Sequence, residues 1–219
     1  TEGVELTDAA SVVLVRSADA PEHSQRLLAA AARRGPLSKE LLLAGLEAGA
    51  AHNSKELLED VMQLLPKNPL PEVATVLLRS LATGLRGREL DTTMLRTYEQ
   101  HLQDVDILMD TRTARLVAEA ALQRRRPELL QQMLRTTNEP SRRVCLLKSF
   151  SSEQRLVDAT AVFQACPDHS VCLYNALLDA CIDCQEMEAA ERIMAEAVAA
   201  DMADVVTYNT MIKKHLQRG

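Results

Sequence analysis

Helix-breaking residues recur at short intervals along this chain, and their spacing limits which folds the chain can adopt. Between the breaks, apolar residues follow a spacing of three and four, as in Leu57, Leu58, Val61, Leu64 and Leu65. Such spacing forms an apolar stripe along one side of an α-helix. The eight prolines all stand where a helix would begin or a linker would lie. The pattern therefore predicts a series of short amphipathic helices.

The predicted helices group into hairpins of about thirty to thirty-five residues with short turns between them. The expected pairs are 7–18 with 21–34, 38–48 with 54–65, 70–84 with 88–102, 111–124 with 127–136, 140–150 with 153–166 and 171–183 with 186–199, followed by an unpaired helix from 206. A helix of about 12 residues is marginal on its own, and one hairpin cannot bury both of its faces, so such pairs must stack. We therefore expect an all-α fold, an α-solenoid of stacked antiparallel helix hairpins. A compact helical bundle is the alternative.

Composition supports this interpretation and narrows the possible functions. The chain is 47% hydrophobic but holds only two Phe, three Tyr and no Trp, with seven Gly and eight Pro among 219 residues. Sheets need more aromatic residues and turns, whereas Ala, Leu and Met favour helices. The net charge of −6 argues against holding nucleic acid by bulk charge. Five scattered cysteines indicate a reduced, intracellular protein, and no apolar run approaches the roughly 18 residues of a membrane span.

A Tyr-Asn pair provides the clearest internal repeat. Residues 171–179 read VCLYNALLD, and residues 205–213 read VVTYNTMIK, 34 positions later. A second amphipathic helix, 187–198, lies between them. The pattern resembles the pentatricopeptide repeat (PPR) family, whose consensus opens Val-Val-Thr-Tyr-Asn-Thr-Leu-Ile and is matched almost residue for residue by 205–212. The resemblance is specific over residues 171–219 and only architectural farther upstream.

The sequence also departs from the family pattern. The complete repeat, 171–204, is one residue shorter than the usual PPR unit, and Gln185 stands where the family prefers Gly. Residues 142–172 can be aligned with 173–203, but residues 142–172 contain no Tyr-Asn pair. The predicted organisation is degenerate helical-hairpin repeats over 1–139, a diverged repeat over 140–170, a PPR motif over 171–204, and the first helix of a further, truncated PPR motif over 205–219.

The resemblance implies a function as well as a fold. PPR proteins are right-handed solenoids that bind single-stranded RNA, one base per repeat, and act on organellar transcripts in mitochondria or chloroplasts. Carried onto this sequence, the base-reading residues are Asn175 and Asp204, a pairing that favours uracil in the family, and Asn209 reads for the next repeat. Cys172 and Val206 are then the residues that sandwich the base. An Asn amide both donates to and accepts from a base edge, and an Asp can orient it.

A plainer role competes with base reading at these positions. An Asn or Asp near the start of a helix often serves as a cap or is simply solvated. In the preceding hairpin, the residue that matches Asn175 is Val144, which cannot hydrogen-bond a base. One or two recognisable PPR repeats therefore cannot specify an RNA target by themselves.

Positive charge is concentrated in one stretch of this acidic chain. Residues 111–155 carry ten basic side chains against four acidic ones. This concentration could hold phosphates without base selection. The possible phosphate contacts, including two lysines farther along, are Arg124, Arg125, Arg126, Arg142, Arg143, Lys213 and Lys214. From the sequence alone, ordinary solvated helix ends are the favoured interpretation of this charge.

Candidate metal and catalytic groups are few. Cys181 and Cys184 form a CxxC, and Cys166, His169 and Cys172 add a zinc-like spacing. Because the CxxC falls near the end of the repeat's first helix, where small apolar residues pack, buried structural thiols are the favoured interpretation. The sequence holds no GxSxG, P-loop, HExxH or GxGxxG motif. We therefore expect a non-catalytic protein with no metal and no cofactor.

Two functions remain open from the sequence. The first is an RNA-binding segment of a PPR protein that contributes, with further repeats beyond Gly219, to single-stranded RNA recognition in organellar RNA processing, stability or translation. The second is a protein-binding α-solenoid scaffold, in which the acidic net charge and the degenerate hairpins form a face that receives a peptide. An enzymatic role would require a catalytic domain after Gly219. No membrane partner is expected.

Overall fold

The computed structural model describes residues 7–216, with side chains through residue 212, and the all-α prediction is confirmed because those residues form thirteen α-helices and no strand. The helices are α1 (Asp8–Arg16), α2 (Pro21–Ala32), α3 (Lys39–Ala51), α4 (Lys55–Gln63), α5 (Pro71–Gly84), α6 (Gly87–Thr97), α7 (Thr111–Gln123), α8 (Pro127–Thr136), α9 (Pro140–Ser151), α10 (Leu156–Ala165), α11 (Val171–Asp183), α12 (Met187–Ala199) and α13 (Val205–Leu216). Helix α6 continues into a π-helical turn, Tyr98–Leu102, and a short 3₁₀ helix spans Ile107–Met109. Each predicted helix is present, and its ends lie within about three residues of prediction when the π-helical turn is counted with α6, which is the usual uncertainty at helix ends.

The chain divides into two compact units, and the boundary falls between Ile107 and Leu108. In the first unit, α1 contacts α2 and α3, and α3 contacts α4 and α5. In the second unit, α7 contacts α8 and α9, α9 contacts α10 and α11, and α11 contacts α12 and α13. Within each unit, the two helices of each hairpin therefore pack together, and successive odd-numbered helices pack against one another.

Close helix packing in the first unit depends on glycine at two positions of α3. A Cβ atom added to Gly45 would lie 2.9 Å from side-chain carbons of both Leu28 and Val61. At Gly49 an added Cβ would lie 2.7 Å from a methyl carbon of Leu58. These separations are shorter than carbon atoms tolerate, so only glycine lets α2 and α4 approach α3 this closely.

Four of the hairpin turns share one backbone conformation, and a fifth also has a residue at positive φ. Asn53, Arg125, Gln154 and Gln185 have φ angles between +49° and +63° at four turns, and Gly87 has φ of +53° at the turn between α5 and α6. In the four non-glycine turns, the next N–H donates to the carbonyl five residues earlier, at 2.8–3.1 Å. This is the Schellman motif, which favours glycine because a Cβ is strained at positive φ. Gln185, where the PPR pattern has Gly, therefore occupies a conformation that suits Gly.

One helix start differs from its prediction for the same reason. Residues 153–155 were expected to open α10, but they form the turn, with Gln154 at φ +58°. The Arg155 N–H donates back to the Phe150 carbonyl at 3.1 Å, which ends α9 before α10 begins at Leu156.

Within the described part of the chain, none of the helices combines the length and the apolar character that crossing a membrane requires.

Candidate nucleic-acid interface

The odd-numbered helices present corresponding residues in the same way. The second residue of each is exposed, and the fifth residue is half-buried in α1 to α11 and exposed in α13. The fifth residues, in helix order, are Val12, Leu43, Thr75, Arg115, Val144, Asn175 and Asn209. An amide, which both donates and accepts hydrogen bonds, stands at this position in α11 and α13 alone among these seven helices.

The predicted pair Asn175 and Asp204 is in direct contact, although 29 residues separate the two in sequence. The Asn175 Nδ2 donates to the Asp204 Oδ1 at 3.2 Å. Thr207 joins them: its Oγ1 lies 2.6 Å from the Asn175 Oδ1 and 2.8 Å from the Asp204 Oδ1. The Thr207 side chain is 1% exposed. We call these three residues the amide cluster.

Asp204 also caps α13, so the cap and the contact to Asn175 are made by one side chain. The Thr207 N–H donates to the Asp204 Oδ1 at 2.9 Å, and the Asp204 N–H donates to the Thr207 Oγ1 at 2.9 Å. Reciprocal bonds of this kind form a capping box. The donors around the carboxylate, chiefly the Thr207 N–H and then the Asn175 amide, hold the pKa of Asp204 below its ordinary value. A charged acceptor therefore faces the Asn175 amide at neutral pH.

Sequence reasoning missed Thr207, and a local signal for it exists. Thr207 stands three residues after Asp204, at the spacing of a capping box. The same spacing occurs at Asp110 and Thr113, where the Thr113 hydroxyl donates to the Asp110 Oδ2 at 2.5 Å. The spacing predicts both caps, but it does not reveal that Asn175 from an earlier helix reaches one of them.

The two residues expected to flank a base are both exposed. Cys172 stands three residues before Asn175 on α11, and Val206 stands three residues before Asn209 on α13. Residues three apart on a helix share one face. Cys172 and Val206 therefore lie on the helix faces that carry the two asparagines.

The tyrosine of the first Tyr-Asn pair packs against its hairpin partner and against the preceding hairpin. The Tyr174 hydroxyl donates to the Glu196 carboxylate at 3.1 Å, and its ring meets the Phe163 ring edge-on at 5.1 Å between centroids. Burial, and then the hydrogen bond to Glu196, raise the pKa of Tyr174. Tyr208 of the second pair is exposed. In α11 the buried tyrosine therefore anchors the helix, while the neighbouring Asn175 is only half-buried.

The predicted phosphate contacts occupy different environments. Arg125 is exposed at the turn between α7 and α8, next to the half-buried Arg124. Arg126 forms an ion pair with Glu128. Arg142 donates to both carboxylate oxygens of Glu139, at 3.0 and 2.7 Å. Lys213 and Lys214 lie beyond the side chains that the structure describes.

Arg143 is removed from the candidate phosphate contacts by its position. Its side chain is 9% exposed, and its guanidinium donates to the backbone carbonyls of Leu134, at 2.9 Å, and Thr137, at 3.4 Å. A buried guanidinium committed to carbonyl groups cannot reach an RNA backbone. Arg143 therefore joins α9 to the last turn of α8 and to the residue that follows it.

A second part of the basic stretch is neutralised inside the second unit. The Arg115 guanidinium donates to the Ser149 carbonyl at 2.7 Å and pairs with Glu119 and Glu153. It also lies over the Phe150 ring, 5.0 Å from the centroid. These bonds join α7 to the next hairpin. The fifth residue of α7 is thus held in a structural network rather than presented for recognition.

Two of the five cysteines lie within the helical packing, and Cys145 is among the exposed ones. Cys166 and Cys181 are buried, and burial raises the pKa of each thiol to about 11. Cys184 is half-buried, while Cys172 is exposed. The expectation of buried thiols in the CxxC is confirmed for Cys181, whereas Cys184 is only half-buried. Across the described side chains, no three His, Cys, Asp or Glu residues converge as metal ligands would. His169 instead stacks on the Phe163 ring at 4.1 Å.

The fold and the amide cluster define an all-α protein of packed helix hairpins in which one hairpin contributes an amide to the cap of a later helix. The chain matches no family model, and no curated protein matches it in sequence. Membership of the PPR family therefore stays a prediction that rests on the Tyr-Asn repeat.

Proposed function

We propose that this chain is a non-catalytic RNA-binding segment of the PPR type, a right-handed α-solenoid whose last hairpins contact single-stranded RNA. The observation that carries the proposal is the contact between Asn175 and Asp204, which come from different helices and are held together at 3.2 Å. A held amide offers a donor and an acceptor to a base edge. By the same resemblance, the chain acts in a mitochondrion or a chloroplast, in RNA processing, stability or translation.

Base recognition is confined, in this proposal, to the last two odd-numbered helices. Val12, Leu43 and Val144 have no polar side-chain atom at the corresponding position, Thr75 has a single hydroxyl in place of an amide, and Arg115 is engaged by Ser149 and two glutamates. Asn175 and Asn209 remain as readers, with Cys172 and Val206 exposed beside them. We therefore expect weak binding from this chain alone and stronger binding when further repeats contribute.

An exposed arginine at the α7–α8 turn supports a contribution of phosphate contacts to RNA affinity. Arg125 is the most accessible of the proposed phosphate contacts whose side chains are described. Each phosphate contact on a single strand changes the logarithmic dependence of affinity on salt by roughly 0.7. A modest salt dependence is expected, because most of the neighbouring arginines pair with glutamates.

Fluorescence anisotropy with labelled single-stranded RNA homopolymers tests the proposal directly. We expect tightest binding to the uracil polymer and about a five- to tenfold loss in Asn175→Ala, the equivalent of roughly one hydrogen bond. Asn138→Ala, at an exposed asparagine in the loop before α9, is the matched control and should bind as the unaltered chain does. Equal affinities for the unaltered chain and Asn175→Ala would rule out base reading by Asn175.

One feature favours the alternative, a protein-binding scaffold. An open groove of about 690 Å³ lies along α10 and α12, lined by Arg155, Glu186 and Arg192. Val157 lies in this groove with 83% of its surface exposed. An exposed apolar side chain among charges of both signs suits a peptide. The scaffold function predicts that Val157→Glu releases a protein partner retained after nuclease treatment, whereas the RNA-binding function predicts unchanged RNA affinity in Val157→Glu.

A further inference from the structure

The Thr207 hydroxyl has one proton and two acceptors within reach, and the surrounding bonds decide which one receives it. The Asp204 Oδ1 already accepts from the Thr207 N–H at 2.9 Å and from the Asn175 Nδ2 at 3.2 Å. These two donors fill the two lone pairs of that oxygen. The Asn175 Oδ1 lies closer to the hydroxyl, at 2.6 Å. The hydroxyl therefore donates to Asn175 and accepts from the Asp204 N–H.

This assignment means that the Asn175 amide is held at both of its ends. Its nitrogen donates to Asp204, and its oxygen accepts from Thr207. One contact leaves an amide free to rotate about that contact, whereas two contacts fix its plane. Each end keeps one unused site, an N–H on the nitrogen and a lone pair on the oxygen. The direction in which those two sites face a base is thus set before any ligand binds.

We propose that Thr207 is a positioning residue for base recognition, because its buried hydroxyl fixes the plane of the Asn175 amide. This inference rests on the proposed function, since it concerns the group that would read the base. Thr207 itself is 1% exposed and cannot touch RNA. Specificity at Asn175 then depends on a hydroxyl from a helix that follows Asn175 by 32 residues. Preorganisation of this kind improves discrimination because the amide loses little freedom on binding.

The chain contains its own control for the hydroxyl. Thr113 is buried, stands three residues after Asp110 and donates to that capping carboxylate. This cap resembles the one at α13 but includes no asparagine. Thr113→Val therefore removes a hydroxyl from a comparable cap and leaves the amide cluster unchanged. Thr207→Val keeps the side-chain shape and removes the two hydrogen bonds assigned to the Oγ1 atom, from the Asp204 N–H and to the Asn175 Oδ1, while Thr207→Ser keeps the hydroxyl.

Two measurements on the 219-residue chain test the inference. The first is nitrogen-edited NMR of the Asn175 side-chain amide in the absence of RNA, identified by the signal that Asn175→Ala removes. The second is anisotropy with the four RNA homopolymers. We expect Thr207→Val to make the amide mobile and to reduce the preference for the best polymer by about fivefold, the value of one hydrogen bond. Thr207→Ser and Thr113→Val should retain both the ordered amide and the preference.

The outcomes separate the two proposals. An equally ordered amide in Thr207→Val, or an unchanged base preference, overturns the positioning role. Loss of base preference in Thr113→Val also overturns it, because the effect would then come from a damaged cap anywhere in the second unit. If Asn175→Ala and the unaltered chain bind RNA equally, base reading by Asn175 is ruled out, and if the unaltered chain binds none of the polymers, the proposed function fails. In both cases the NMR measurement still decides whether Thr207 orders the amide. Circular dichroism melting verifies that each variant is folded.

Discussion

Helices α7 and α13 begin with the same pair of residues three apart, but only one of the two caps reaches another helix. Asp110 with Thr113 and Asp204 with Thr207 both combine a capping carboxylate with a buried threonine. At α7 the hydroxyl donates to the carboxylate at 2.5 Å. At α13 the hydroxyl is within 2.6 Å of the Asn175 Oδ1. Capping a helix therefore does not require the asparagine, and Asn175 is an addition that joins a cap to an earlier hairpin.

The start of α11 sharpens this contrast, because none of the three residues of the amide cluster occurs there. Ser170 caps α11 by accepting from the Leu173 N–H at 3.4 Å. Leu173 takes the place of Thr207, and Val144 on α9 takes the place of Asn175. A simple serine cap is thus sufficient to start a helix in the same unit. All three residues of the amide cluster are present at α13, and all three are replaced at α11.

The largest expected effect comes from removing the caps themselves. Asp110→Ala should lower the free energy of unfolding by about 1–2 kcal/mol, and Asp204→Ala should lower it as well, since each removes an N-cap carboxylate beside a buried threonine. RNA affinity should fall only in Asp204→Ala, which also frees the Asn175 amide. Denaturant unfolding and anisotropy together check this. Equal losses of RNA affinity in the two variants would mean that the caps support binding only through stability.

Much of the fold follows from local sequence, which explains why the helix bounds were predictable. Proline at the first turn of α2, α5, α8 and α9, together with apolar residues spaced by three and four, fixes where those helices begin and which side is buried. The Tyr-Asn repeat likewise identified Asn175 and Asp204, which the structure brings together. These signals act within a few residues or repeat at a fixed period.

The features that the sequence did not reveal depend on contacts between distant residues. Counting charge placed Arg143 on a basic surface, but its guanidinium turns inward to the Leu134 carbonyl. The ten basic residues counted over 111–155 also include Arg115, which pairs with residues of the next hairpin. Thr207 resembles any threonine in the first turn of a helix until Asn175 is seen beside it. Side-chain direction and partners across hairpins are set by packing, which no local pattern encodes.

A smaller effect is expected at the helix ends, where the α7 and α11 hairpins are alike rather than different. Arg125 and Gln185 both have positive φ in Schellman turns. Replacing either by Gly should raise the free energy of unfolding by about 0.5–1 kcal/mol, because the strain of a Cβ at positive φ is relieved. Thermal melting checks both variants. Arg125→Gly should also weaken the salt dependence of RNA binding, whereas Gln185→Gly should leave it unchanged.

The smallest effect isolates the charge of Asp204. Its pKa is lowered by the Thr207 N–H and the Asn175 amide, so the charged carboxylate stabilises the folded state above the unfolded pKa of about 4. That stabilisation is lost as pH falls through the still lower folded pKa. Asp204→Asn keeps a capping side chain without the charge. We therefore expect the unaltered chain to unfold at higher denaturant concentration than Asp204→Asn at pH 7, with the difference shrinking below about pH 4. A difference that stays constant across this range would assign the advantage of Asp204 to geometry rather than to charge.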